Sequence, residues 1–168
     1  MANIVLVGFM GTGKTAVGRA LADRLKRRFI EIDTLIEKIE GTSIREIFEK
    51  KGEIYFRKLE KDVIKNVSSE KDVVISAGGG AVIDEENLKN LRINGVIICL
   101  EATPETIFKR VKGDNSRPLL NVQNPLERIR ELLEKRRTYY EKADYFVDTD
   151  TLTVDEVVNK ILSILKAI

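Results

Sequence analysis

A glycine-rich segment near the start of the chain carries the residue types that bind phosphate. Residues 8–15 read GFMGTGKT and match the pattern G-x-x-x-x-G-K-[ST]. The apolar run at residues 4–7 predicts a strand before this segment, and AVGRALADRL predicts a helix after it. Backbone N–H groups of such a loop surround phosphate oxygens at the positive end of the helix. Lys14 is predicted to reach the β- and γ-phosphates, and Thr15 to supply a hydroxyl to Mg²⁺. The segment therefore predicts binding of a nucleoside triphosphate.

Two acidic residues end the next apolar segment. FIEID at residues 29–33 predicts a second strand, in which alternation places Glu31 and Asp33 on one face at the carboxyl end. One carboxylate there would hold a metal ion, and the other would orient or deprotonate a hydroxyl. The alternative is that Asp33 caps the helix predicted for TLIEKIE. Because the chain has no histidine, any general base would have to be a carboxylate.

A second glycine turn follows a third predicted strand. SAGGGAV at residues 76–82 comes directly after the run DVVI at residues 72–75. A phosphate-binding turn would explain three successive glycines, but the chain already has one. A tight loop that needs positive φ angles is the simpler interpretation. The residues alone leave the purpose of this turn open.

Several arginines have the chemistry to bind anions. Arg57 has Glu53 and Glu60 within helical reach, so a ladder of surface ion pairs explains it as well as a binding role does. Three further arginines would together clamp a phosphate or a carboxylate, for which a guanidinium is better suited than an ammonium. They are Arg110, Arg117 and Arg136.

The segment at residues 112–124 separates two predicted helices. It is polar, lacks a clear period and contains Arg117 next to a proline. Such a segment is either a mobile lid or a variable surface loop. In a lid, Arg117 would close over the γ-phosphate and stabilise the transferring charge.

The phosphate loop leaves two classes of protein open. One is an enzyme that moves the γ-phosphoryl group to a small acceptor, and the other is a protein that signals by conformation. A guanine-nucleotide switch would need Asp-x-x-Gly after a strand and Asn-Lys-x-Asp, and neither occurs in the chain. A kinase is therefore favoured, with an ATP-binding regulatory module as the alternative from another class.

The composition limits the number of domains, the kinds of binding partner and the cellular compartment that we expect. The 168 residues are 43% hydrophobic, which predicts one globular domain over residues 1–168. A net charge of +2 from 29 basic and 27 acidic residues argues against nucleic-acid binding. No stretch reaches the roughly 20 apolar residues of a membrane helix, and no secretory signal is recognised. The single Cys99 excludes an internal disulfide, and we expect a cytoplasmic protein.

Alternating strands and helices must position these residues. This alternation predicts a parallel sheet with helices on both faces and ligands at the carboxyl ends of its strands. Strands are predicted at residues 3–7, 29–33, 73–76, 95–100 and 145–147. Helices are predicted at residues 14–26, 33–40, 43–51, 54–67, 84–91, 104–111, 125–143 and 154–166.

Taken together, the motifs resemble those of shikimate kinases along essentially the whole chain. The matching segments are GFMGTGKT, FIEID, GEIYFRKLE, SAGGGAV, RPLL at residues 117–120 and the spacing of Arg136 and Tyr140. The resemblance implies a three-layer α/β/α P-loop kinase of the nucleoside monophosphate kinase type, with a five-stranded parallel sheet and a mobile lid. It implies transfer of phosphoryl from ATP to the 3-hydroxyl of shikimate, with Mg²⁺ as cofactor. The implied protein is a monomer that acts on small molecules. A kinase of the same fold for another hydroxy acid, such as gluconate, is the alternative.

The same resemblance implies roles for individual residues. Lys14, Asp33 and Arg117 would be catalytic, and residues 33–61 would form the acceptor-binding segment. The expected metal residues are Thr15 and Glu31, although the family usually has Asp where this chain has Glu31. The expected nucleotide-binding residues are Gly11, Thr12, Gly13, Lys14, Thr15, Ala16, Arg110 and Arg117. Those expected to bind shikimate are Asp33, Arg57, Gly78, Gly79, Gly80 and Arg136, so that the second glycine turn becomes the floor of the acceptor pocket.

Overall fold

Five parallel strands form the centre of the molecule. In the computed structural model, which describes residues 1–114 and 117–168, the strand order is β2-β3-β1-β4-β5 and every neighbouring pair is parallel. The strands are β1 (Asn3–Val7), β2 (Arg28–Glu31), β3 (Val73–Ser76), β4 (Gly95–Glu101) and β5 (Tyr145–Asp148). The expected five-stranded parallel sheet is confirmed.

Helices cover both faces of this sheet. They are α1 (Lys14–Leu25), α2 (Ile32–Glu40), α3 (Ile44–Val67), α4 (Glu85–Asn94), α5 (Pro104–Val111), α6 (Pro125–Tyr140) and α7 (Val154–Ala167). Short 3₁₀ turns span Ala81–Ile83 and Pro118–Leu120. Among the described residues, none of these helices combines the length and the apolar character needed to cross a membrane.

The central strand shows why the sheet is covered on both sides. Val5 and Val7 of β1 pack into one apolar cluster with residues of α3, α4 and α6. Ile4 and Leu6 pack into a second cluster with residues of α1 and α7. Alternate side chains of one strand thus enter opposite cores, which is the pattern of a parallel sheet between two helical layers. The expected three-layer α/β/α architecture is confirmed.

The start of α2 differs from the sequence-based prediction, whereas the break within α3 agrees with it. Strand β2 ends at Glu31 and α2 begins at Ile32, so Asp33 lies in the first helical turn and not in the strand. The helices predicted at residues 43–51 and 54–67 are confirmed as separate helices, because α3 is broken at Gly52, which has φ 83°. Glycine adopts this left-handed conformation without a Cβ penalty, and the chain therefore changes direction at Gly52.

The segment expected to be a lid contains more structure than its composition suggests. Pro118–Leu120 forms a 3₁₀ turn, and the Leu120 side chain is buried against the core. Residues 115 and 116 lie outside the described part of the chain. The mobility of residues 112–124 stays a prediction.

Candidate active site

The sheet register brings the two glycine turns and the acidic pair to one edge. Ser76, the last residue of β3, pairs with Leu6 of β1 on one side and with Glu31 of β2 on the other. The segments that follow these three strands therefore emerge side by side. This is the edge of an open α/β sheet at which ligands bind.

The side chain of Lys14 folds back onto the backbone of the phosphate loop. The Lys14 ammonium donates hydrogen bonds to the carbonyls of Gly8 at 2.7 Å and Phe9 at 2.9 Å. The glycine at position 13 has φ 96°, which lets the loop turn into the start of α1. Burial lowers the pKa of Lys14 to about 8, and the nearby Asp33 carboxyl opposes this shift. The Lys14 ammonium therefore lies beside the loop with little access to solvent.

A cavity of about 280 Å³ opens over this loop. We call it the phosphate-loop cavity, and it is bounded by α1, the ends of β2 and β3, and two arginines. Thr12 does not border it, because its buried hydroxyl donates a hydrogen bond to the Phe9 carbonyl at 2.7 Å. Among the predicted residues that line it are Gly11, Gly13, Lys14, Thr15, Ala16, Arg110 and Arg117.

A second cavity of about 240 Å³ lies next to the first. We call it the arginine cavity, and it is bounded by α2, α3, α6 and the second glycine turn. The described residues that line it include Asp33, Arg57, Gly78, Gly79, Gly80 and Arg136. The two cavities share Met10, Glu31, Asp33, Gly78, Gly79 and Arg117. A molecule in one cavity would therefore meet a molecule in the other at these residues.

The Asp33 carboxyl group faces both cavities and is half-buried, and its Oδ1 atom is shielded from solvent. This atom has no hydrogen-bond partner among the described residues. The alternative role as a helix cap is wrong, because the N-cap of α2 is Glu31 and no side chain caps that helix. Burial raises the pKa of Asp33, while the Lys14 ammonium lowers it. A half-buried carboxyl with a free oxygen is available to a ligand.

Glu31 sits at the end of β2 beside the phosphate loop. One of its oxygens accepts a hydrogen bond from the Thr15 hydroxyl, and the other accepts one from Thr34 at 3.1 Å. The two residues predicted to hold a metal are thus in direct contact. Among the described residues there is no cluster of three or more His, Cys, Asp or Glu that would hold a metal by itself. A cation here would need oxygens from a ligand as well.

Two arginines that line the arginine cavity differ in their partners. Arg57 pairs with Glu60 at 3.0 Å and with Glu53 at 3.2 Å, so the predicted ion-pair ladder exists and also borders the cavity. The Arg136 side chain is only 4% exposed, and its guanidinium carbon lies 5.6 Å from the centre of the Phe9 ring. Its NH1 atom has no hydrogen-bond partner among the described residues. A buried guanidinium with an unpaired nitrogen has the charge and the free donor that an anion would need.

The other two predicted arginines lie nearer the phosphate loop. Arg110 donates hydrogen bonds to the carbonyl of Gly11 at 3.1 Å and to the carbonyl of Thr149 at 2.9 Å. Arg117 pairs with Asp114 at 3.3 Å and borders both cavities. Both guanidinium groups therefore reach the region in which a nucleotide would lie.

Sequence reasoning missed several residues of this site. Glu60 was considered only as a surface partner of Arg57, but it is 1% exposed and borders the arginine cavity. Burial raises its pKa to about 7, and the Arg57 guanidinium opposes that rise. Met10 also lines the cavity. Its apolar character is that of an ordinary core residue, so no local signal marked it.

A phosphate loop that opens beside an arginine-lined acceptor cavity, on a parallel sheet of order 2-3-1-4-5, defines a P-loop kinase of small anionic molecules. Residues 10–166 match the family model described as shikimate kinase. The chain belongs to the shikimate kinase family.

Sequence identity to individual relatives and similarity to solved structures support this family assignment. A shikimate kinase of Thermodesulfovibrio yellowstonii is 52% identical over 162 residues, which cover 96% of this chain and 94% of that protein. The solved shikimate kinase from Acinetobacter baumannii in complex with shikimate has a TM-score of 0.97 and 39% identity, covering 99% of this chain and 94% of that one. A gluconokinase from Sinorhizobium meliloti has a TM-score of 0.64 at 19% identity over 99% of this chain and 92% of that one, a likeness of fold alone.

Proposed function

We propose that this protein transfers the γ-phosphoryl group of ATP to the 3-hydroxyl of shikimate, giving ADP and shikimate 3-phosphate in the route to aromatic amino acids. The observation that carries the proposal is the buried Arg136, whose unpartnered NH1 atom faces the glycine floor of a cavity next to the phosphate loop. An anionic acceptor supplies the missing partner. The relative solved with shikimate bound, with its TM-score of 0.97, supports a carboxylate-bearing acceptor of this size.

The nucleotide would occupy the phosphate-loop cavity. Backbone N–H groups of residues 11–16 would bind the phosphate oxygens, and the Lys14 ammonium would move from the loop carbonyls to the β- and γ-phosphates. Arg110 would lie against the adenine ring. Arg117 would contact the γ-phosphate, since it borders both cavities.

The acceptor would occupy the arginine cavity. Arg57 and Arg136 would bind its carboxylate, and the half-buried Asp33 would accept a hydrogen bond from the reacting hydroxyl. The residues of the second glycine turn would form the floor, because a larger side chain at Gly78 or Gly80 would collide with Asp33 or Arg57. On this proposal, the second turn consists of glycines because the absence of side chains keeps the pocket open. The three residues of this floor are Gly78, Gly79 and Gly80.

The residues beside the phosphate loop fit a magnesium ion. Thr15 and Glu31 offer hard oxygen donors in contact with each other, at the place where phosphate oxygens would complete the coordination. Bound with ATP, Mg²⁺ supplies positive charge that offsets the charge developing on the phosphates. Glu31 is one methylene longer than the Asp usual in the family, and Thr34 holds its second oxygen.

The proposed mechanism depends mainly on position and electrostatics. Asp33 orients the acceptor hydroxyl in line with the γ-phosphorus and takes its proton as the new bond forms. Lys14 and Arg117 stabilise the charge on the equatorial oxygens. We propose that residues 112–124 close over the nucleotide and that residues 33–61 close over the acceptor, within one domain.

We further propose that the protein acts as a monomer in the cytoplasm, on small molecules and without nucleic-acid or membrane partners. The near balance of charge and the single buried cysteine support this setting.

The direct test is release of ADP by the purified protein with MgATP and one acceptor at a time. Shikimate, gluconate and a nucleoside monophosphate are compared at equal concentration. Release that depends on shikimate alone is expected. Release with gluconate instead would favour a kinase of the same fold for another hydroxy acid, and ATP binding without release for any acceptor would favour a regulatory module.

A further inference from the structure

A hydrogen bond from α6 holds the glycine floor from outside the arginine cavity. The hydroxyl of Tyr140 donates to the carbonyl of Gly79, 61 residues earlier in the chain. The Tyr140 side chain is 8% exposed and does not border the arginine cavity among its described lining. Burial raises the pKa of this phenol to about 12, so the hydroxyl keeps its proton and stays a donor at ordinary pH.

Gly79 is the point at which the acceptor floor touches the phosphate loop. A Cβ atom built on Gly79 would lie 3.2 Å from the backbone nitrogen of Met10 and 3.7 Å from the carbonyl oxygen of Gly8. The same position is 3.6 Å from NH1 of Arg136. A shift of Gly79 therefore changes the spacing between the floor, the buried guanidinium and the loop that would hold the phosphates.

Tyr140 and Arg136 are one helical turn apart on α6. Arg136 packs over the ring of Phe9, which belongs to the phosphate loop, while Tyr140 binds the floor. The same helix thus carries Arg136, which would bind the anion, and Tyr140, which holds the glycine floor that faces Arg136. The hydrogen bond to Gly79 therefore links the position of the floor to the helix that carries Arg136.

We infer that Tyr140 is a positioning residue for the acceptor: by holding the Gly79 carbonyl it sets the separation between the glycine floor and Arg136. This inference rests on the proposed function, because it assumes that the anion bound there is the carboxylate of the acceptor. Tyr140 acts through Gly79 and does not touch the acceptor itself.

The test compares Tyr140→Phe with Tyr139→Phe, its neighbour on the same helix. The Tyr139 ring packs against the core, and no hydrogen bond of its hydroxyl occurs within the described residues. Loss of one buried hydrogen bond predicts a rise in KM for shikimate of about 2- to 10-fold in Tyr140→Phe. The KM for ATP and the Kd for ADP should stay within about 2-fold, and Tyr139→Phe should match the wild type.

A double variant separates positioning from a loss of stability. If Tyr140 acts on the site of Arg136, the effect of Tyr140→Phe on KM for shikimate should shrink in an Arg136→Lys background. An unchanged KM for shikimate in Tyr140→Phe, or an equal rise in KM for shikimate and ATP, would overturn the inference even if the melting temperature fell. Inactivity of the wild type with shikimate would instead refute the proposed function.

Discussion

Asp33 of α2 and Glu60 of α3 face each other across Gly78. Oδ1 of Asp33 lies 2.9 Å, and Oε2 of Glu60 lies 3.1 Å, from the position that a Cβ atom on residue 78 would occupy. Neither oxygen has a hydrogen-bond partner among the described residues, and burial raises the pKa of both carboxyl groups. The other oxygen of Glu60 accepts a hydrogen bond from Arg57 at 3.0 Å. The arginine cavity therefore holds two acids, each with one oxygen shielded from solvent, beside the arginines that would bind the acceptor.

The stability of the protein should depend on pH through Glu60. Burial raises its pKa from 4.5 to about 7, so the folded protein binds this proton more tightly than the unfolded chain does. The wild type should therefore lose stability relative to Glu60→Gln as the pH rises from about 4.5 to about 7. At about 1.4 kcal/mol per pKa unit, the difference is roughly 3 kcal/mol in the free energy of unfolding. Denaturant unfolding of both proteins at several pH values measures it.

Glu53→Gln is the matched control for this experiment. Glu53 is the other partner of Arg57, but its side chain is 49% exposed. Its replacement should leave a stability profile parallel to that of the wild type. If the Glu60→Gln profile is also parallel between pH 4.5 and 7, the carboxyl is solvated in solution and the predicted shift is wrong.

Replacing the proposed base should separate chemistry from nucleotide binding. General-base catalysis contributes about 10²- to 10⁴-fold, so Asp33→Asn should lower kcat within that range while the Kd for ADP is retained. Glu37→Gln is the control, because Glu37 lies one turn later on α2 and lines the same cavity. Steady-state kinetics and calorimetry provide the two readouts. Nearly intact turnover in Asp33→Asn would show that Asp33 is not the base.

Two adjacent arginines on α6 allow a paired test of the acceptor site. Arg136 is buried, whereas the Arg137 side chain is 65% exposed and pairs with Glu134 and Glu141. Arg136→Lys should raise KM for shikimate by about 10- to 100-fold, because an ammonium cannot make the two parallel hydrogen bonds of a guanidinium. Arg137→Lys should leave KM unchanged. Equal values for the two variants would remove Arg136 from the acceptor site.

Nucleotide binding should take up a proton at alkaline pH. With a pKa of about 8, Lys14 is mostly neutral in the free protein at pH 9. Phosphate groups beside it favour the charged form and raise its pKa, so binding of ADP should take up close to one proton at pH 9 and much less at pH 7. Titration calorimetry in two buffers of different ionisation enthalpy measures the uptake. Lys14→Arg keeps its charge, so uptake of the same size in that variant would assign the proton to another group.

Local patterns predicted the elements and the phosphate loop well. Apolar runs predicted β1 and β3 with their observed bounds, and helical periodicity predicted α5 with its observed bounds. At the start of α7, Thr153 and Glu156 form a capping box, and at the start of α3 the Ser43 hydroxyl accepts a hydrogen bond from the Glu46 backbone nitrogen. These features depend on residues a few positions apart, which a sequence displays directly.

The position of Asp33 shows where local reasoning failed. Alternation along a strand predicted that Glu31 and Asp33 share a face, but the helix begins between them, at Ile32. Both residues still line the two cavities, because the start of α2 turns Asp33 toward the second glycine turn. The prediction placed Asp33 at the correct edge of the sheet but on the wrong element, since it lies in a helix and not in a strand.

By itself, the sequence determined the phosphate loop, the parallel sheet and the family to which the chain belongs, because each depends on a pattern of neighbouring residues. It did not determine which charges are buried. Glu60 and Arg136 have the same local appearance as the exposed Glu53 and Arg137. Only the packing of α2, α3 and α6 around the second glycine turn excludes water from one member of each pair. The loss of solvation raises the pKa of Glu60 and leaves a nitrogen of Arg136 without a partner among the described residues. That loss depends on segments far apart in the chain.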